Sequence, residues 1–175
     1  MQATPNTQAW SISLLAECHK LVQAHLQPHL LKMFDNSNHA FTEFAEKAQS
    51  SASQIQFVEA MSIVQKNRAQ VEEVFNRSLS NSFTQFGNET LQSPFGIDVT
   101  RVPLTLQSKE ETDIEVAIKN MTASAATGSA QELGALRQRL AVLNNGRKIK
   151  DEDIPASPAC LAKAFNEAVQ ILVLE

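Results

Sequence analysis

Glycine and proline are scarce, five and six in 175 residues, about half of average usage. All-β sandwiches and barrels need such residues at every turn, so the scarcity argues against them. It also leaves no glycine-rich loop to cradle a phosphate, because no two glycines stand close enough together. A strong charge of one sign is lacking as well. Nineteen acidic and fifteen basic residues give a formal charge of −4, which excludes a whole-domain attraction to nucleic acid or anionic lipid. The opening Met1-Gln2-Ala3-Thr4-Pro5-Asn6 has no basic patch leading into an apolar run, and no stretch approaches a membrane span. A cytoplasmic location is expected. Only two cysteines occur, Cys18 and Cys160, both among apolar helical positions; two buried, reduced thiols are expected. What is present is 43% hydrophobic residues, enough for a core. The expected class is all-α.

Helical periodicity organises most of the chain. Leu14, Leu15, Cys18, Leu21, Val22 and Leu26 recur at helical spacing. Proline lacks an N–H and clashes with the preceding turn, so one helix should end near Leu26 and a short one begin at Pro28. Asp35-Asn36-Ser37-Asn38 reads as a turn capping a third helix with Phe41, Phe44, Ala45 and Ala48 on one face. Ser53 and Gln56 fit a capping box. From Gln54 to Phe86 there is neither glycine nor proline, and Phe57, Met61, Val64, Val71, Phe75, Leu79, Phe83 and Phe86 repeat every three or four residues. Gly87-Asn88 offers a left-handed cap. A straight helix of that length is a rod of roughly 50 Å, longer than the ~40 Å expected across a compact domain of this size. The rod bends, or the bundle is elongated and leaves part of it to another chain.

Pro94, Gly96 and Pro103 make residues 88–107 an irregular linker, with an extended tether near 98–107 where Val102, Leu104 and Leu106 alternate. Ser108-Lys109-Glu110-Glu111 then opens a helix with Ile114, Ala117, Ile118, Met121 and Ala125 inward, broken at Thr127-Gly128. Ser129 and Glu132 cap the next helix, whose Leu133, Leu136, Leu140 and Leu143 form a short heptad seam. Asn144-Asn145-Gly146 ends it, and Ser157-Pro158 supplies N-cap and first turn of a last helix with Leu161, Ala164, Phe165, Ala168 and Leu172 inward. The expectation is one α-helical domain over residues 1–175, an elongated bundle of about six helices. It divides into helical subregions 8–87 and 108–173 on either side of the linker.

These residues also carry a family resemblance. The block Pro28-His29-Leu30-Leu31-Lys32-Met33-Phe34-Asp35, followed by Ala40-Phe41-Thr42-Glu43-Phe44-Ala45-Glu46-Lys47-Ala48, resembles the opening of the proteobacterial family called domain of unknown function 1631. Leu104-Thr105-Leu106, then Glu111, Glu115, Ala117 and Ile118, and Leu136-Arg137-Gln138-Arg139-Leu140-Ala141-Val142-Leu143 are similar too. So are Asp151-Glu152-Asp153-Ile154-Pro155-Ala156-Ser157-Pro158 and Leu161-Ala162-Lys163-Ala164-Phe165. The chain departs from the family at Gln107-Ser108-Lys109, where acidic residues are usual, and at Ile154, where asparagine is. The resemblance implies an N-terminal piece of a longer protein, in which Leu174-Glu175 would be a cloning scar. Some members carry a thymidine phosphorylase label, which five scattered glycines do not support for this region.

Chemistry-bearing residues are weighed against plain structural roles. His25 and His29 stand four apart, the spacing of a helical metal pair. A site also needs a continuous helix and at least one more ligand, with Glu17 or His19 as candidates. The expected break at Pro28 spoils the spacing, so no metal is expected. Glu110, Glu111, Asp113 and Glu115 lie where a helix dipole favours carboxylates, which accounts for them without catalysis. Asp151-Glu152-Asp153 lacks the glycine and terminal glutamate of a calcium loop. Cys18 and His19 are sequence neighbours and so point about 100° apart on a helix, a poor nucleophile–base pair. Arg137, Arg139, Arg147, Lys148 and Lys150 form a basic run without interleaved aromatics. Arg68 interrupts the long apolar stripe and has Glu72 one turn on. It packs its stem and pairs with Glu72, or else fixes register or meets a partner.

The expected function is non-enzymatic: a helical protein–protein interaction or scaffolding module of a larger bacterial regulatory protein. It would meet a protein partner or a second copy through helix faces, either part of the rod from Gln54 to Phe86 or the leucine seam from Leu133 to Leu143, with no cofactor, metal or small-molecule ligand. Arg68, Arg137, Arg139, Arg147 and Lys148 are the candidate interaction residues. One alternative is the lid or cap of an enzyme whose catalytic domain lies beyond residue 175. Another is weak nucleic-acid binding through residues 137–150.

Overall fold

The computed structural model describes residues 5–92, 109–143 and 149–172. Five α-helices occur among them: α1 (Pro5–Glu46), α2 (Ser51–Gln92), α3 (Lys109–Gly128), α4 (Ala130–Leu143) and α5 (Pro158–Val169). Short 3-10 turns, Asp151–Asp153 and Gln170–Leu172, flank α5, and no strand occurs among the described residues. The fold is all-α, with five helices where periodicity suggests about six. The tether near 98–107 lies outside the described residues.

The difference arises in α1, which runs unbroken through Pro28 and through the expected turn at 35–38. An interior proline costs about 3 kcal/mol. Leu30 and Phe34, just beyond it, are both buried, and burying two such side chains returns about 1.5–3 kcal/mol each. Burial wins. The polar run after Phe34 does not turn the chain because its side chains are engaged elsewhere. Ser37 Oγ donates to the carbonyl of Phe34 at 2.8 Å. Asn38 Oδ1 accepts from Gln65 of α2, and Asp35 accepts from Arg68 of α2.

α2 starts earlier and ends later than its capping signals suggest. Ser50 is the cap, its Oγ accepting the Ser53 N–H at 3.1 Å, so Ser53 is already inside the helix. At the other end the backbone passes through Gly87 to Gln92, two residues before Pro94, whose ring disfavours helical backbone at the residue preceding it. Ser129 behaves differently from the capping box read there. Its hydroxyl donates back to the Ala125 carbonyl at 2.7 Å, and α4 follows α3 after that one residue. The last helix matches its signal: Ser157 Oγ, fully buried, accepts the Cys160 N–H at 3.1 Å, with Pro158 as the first helical residue.

The chain forms two compact units, Met1–Ala16 with Leu79–Lys163, and Glu17–Ser78 with Ala164–Glu175. In the first, Leu15, Phe86, Leu140, Ile149 and Ile154 make one buried cluster with Ala141 against it. That cluster ties α1, α2 and α4 to the segment leading into α5. In the second unit, α1 and α2 run antiparallel in fixed register. Stepping forward on α1 from Asp35 to Asn38, Thr42 and Phe44, the contacts on α2 step back from Arg68 to Gln65, Met61 and Phe57.

Several expected inward positions are corrected. Leu14, Cys18 and Leu21 are exposed; Leu15 is buried as expected, with Ser11 beside it on the buried side of early α1. Cys18 is therefore an exposed thiol; Cys160 is buried and both are free. On α2 the expected line Val71, Phe75, Leu79, Phe83 and Phe86 is buried, but beyond Val71 it continues through Asn67 rather than Arg68. Asn67 is tolerated there because its side-chain amide donates to the Ile63 carbonyl at 3.1 Å.

Candidate functional site

Arg68 sits at the α1–α2 seam of the second unit. Its Nε donates to Glu72 Oε1 at 3.0 Å, one turn along α2. A terminal nitrogen reaches Asp35 Oδ1 at 3.5 Å, and the guanidinium lies 5.1 Å from the centre of the buried Phe34 ring. With 28% of its side chain accessible, the stem packs while the head keeps partial contact with water. The Glu72 pairing is the one its spacing suggests. The contacts to Asp35 and Phe34 link Arg68 of α2 to α1 within this chain.

Of the other candidate cations, Arg137 and Arg139 fall among the described residues. Arg137, half-buried on α4, pairs with Asp151 of the 3-10 turn, so its charge is balanced inside the first unit. Arg139 is exposed. Arg147 and Lys148 lie outside the described residues. Glu115 is exposed, and the side chains of Glu110, Glu111 and Asp113 fall outside the described ones. Among the described residues no group of three or more His, Cys, Asp or Glu is placed to hold a metal, and no helix is long and apolar enough to cross a membrane.

The larger departure from expectation is α3. Between residues 115 and 128 no side chain is buried. The apolar stripe expected inward covers two adjacent rows of the helix, and the fold uses only one. Ile118, Thr122 and Ala126 are half-buried, with the Thr122 hydroxyl satisfied by the Ile118 carbonyl at 2.7 Å. The neighbouring row, Ala117, Met121 and Ala125, stands in solvent, Met121 with 68% of its surface accessible. Val116 and, on α4, Leu136 and Val142 are exposed too. Periodicity alone could not separate the two rows, but composition carried a hint: two of the three residues on the exposed row are alanine, which buries little area and pulls weakly inward.

An all-α protein built on two 42-residue helices, with an unfilled apolar face on a third, is the class these observations define. Over residues 12–175 the sequence matches the family described as protein of unknown function (DUF1631), N-terminal domain, and the chain belongs to that family. No curated protein and no solved structure matches it.

Proposed function

We propose that this chain is a helical protein–protein interaction or scaffolding module, and that α3 is the face it offers. The observation that carries this is the Ala117–Met121–Ala125 row, apolar at helical spacing and exposed along its length. A soluble helix keeps such a stripe where another surface covers it. The partner that suits it is another amphipathic helix: the alanines let a neighbouring backbone approach, and Met121 supplies an adaptable knob. Nucleic-acid binding has less support, since Arg137 is already paired with Asp151.

The test is capture of partners by the full-length protein carrying Met121→Glu. Loss of a partner that wild type retains, with unfolding unchanged, is the expected result. Retention of every wild-type partner by Met121→Glu and by Ala125→Glu would overturn the assignment of α3.

A further inference from the structure

The continuity of α1 through Pro28 restores a pair that a helix break would have separated. His25 and His29 lie one turn apart on an unbroken helix, both exposed, with ring centres 5.4 Å apart and planes tilted by 58°. Two imidazoles bound side by side to one tetrahedral ion, each nitrogen about 2.1 Å from it, hold their ring centres about 5 Å apart. The observed separation is near that value.

We propose that His25 and His29 form a two-ligand surface site for a borderline divalent transition metal, zinc or nickel in class, with water completing the coordination. Imidazole is a suitable donor for these ions, whereas magnesium and calcium prefer oxygen. Cys18 lies on the same face of α1, but seven residues away, about 10 Å along the axis, and cannot share the ion. Among the described residues no third His, Cys, Asp or Glu joins the pair. Its position gives it a consequence for the fold. The turn from residue 25 to 29 is the one Pro28 weakens, by removing an N–H and crowding the carbonyl of Ala24. A chelate across that turn holds it closed, so metal binding and the integrity of α1 are linked.

The experiment is calorimetric titration of the tag-free full chain with Zn2+ and with Ni2+ in a non-coordinating buffer, alongside thermal unfolding. One ion per chain is expected, with Tm rising by about 3 °C in excess metal. His25→Ala and His29→Ala should each weaken binding by about tenfold or more, through loss of one of two coordinate bonds. His39→Ala, an exposed histidine elsewhere on α1, should leave binding unchanged. Both variants replace exposed side chains, and circular dichroism confirms that each is folded before titration. Absence of binding by wild type at millimolar metal would overturn the proposal. So would unchanged affinity in either His25→Ala or His29→Ala, since the ion would then sit elsewhere.

Discussion

Three groups hold the Arg68 guanidinium: the carboxylates of Glu72 and Asp35 and the face of Phe34. Each is worth little alone. A partly exposed ion pair contributes about 0–1 kcal/mol, and a cation over an aromatic face about 0.5–1 kcal/mol. Arg68→Ala should therefore destabilise by about 1–2 kcal/mol, read as a lower urea midpoint. Arg68→Lys keeps the charge but loses the planar fork and should fall between wild type and alanine. Asp35→Asn should cost under about 0.5 kcal/mol, because that carboxylate is 65% accessible. A lysine variant weaker than the alanine variant would contradict this ordering. Ser157 offers a contrast in burial. Its hydroxyl caps α5 with 1% of the residue accessible, so no water replaces it, and Ser157→Ala should cost about 2 kcal/mol. The exposed Ser50 cap of α2 should cost under about 1 kcal/mol when changed to alanine. Glu72 as a partner of Arg68 was legible, being four residues away on one helix. Asp35 was not, because only the antiparallel register of α1 and α2 brings it there.

At the scale of elements, helix type was legible throughout, while helix boundaries followed whichever energy was larger. Ser157-Pro158 predicts the start of α5 correctly because nothing long-range opposes that local signal. Pro28 misleads because burial of Leu30 and Phe34 outweighs its local cost. The same competition yields a prediction. Pro28 is exposed, so its side chain contributes little packing, and Pro28→Ala restores a hydrogen bond inside a continuous helix. The gain of about 3 kcal/mol is reduced by the greater freedom of the unfolded chain, about 0.4–1 kcal/mol. A net rise of about 2 kcal/mol in unfolding free energy is expected. A variant no more stable than wild type would mean that the chain is broken at this point. The exposed α3 row was illegible for a complementary reason: periodicity shows an apolar stripe, and says nothing of which of its rows the fold covers.

For the molecule as a whole, the question is which apolar residues serve folding and which serve association, and substitutions separate the two. Leu79 and Ile154 are fully inaccessible; removing a buried leucine side chain costs about 2–5 kcal/mol. On the proposed role, Met121 falls on the association side of that division. With two thirds of its surface already in water, Met121→Glu removes little packing and should change unfolding free energy by no more than about 0.5 kcal/mol. In a complex the same carboxylate would have to be desolvated against an apolar helix face, which costs several kcal/mol and so lowers affinity by a hundredfold or more, to order of magnitude. Measured side by side, Leu79→Ala should lower Tm and lose partners only in proportion to the unfolded fraction. Met121→Glu should keep Tm and lose partners outright. If Met121→Glu instead lowered Tm as Leu79→Ala does, α3 would belong to the folded core, and its exposed row would no longer support an interaction role.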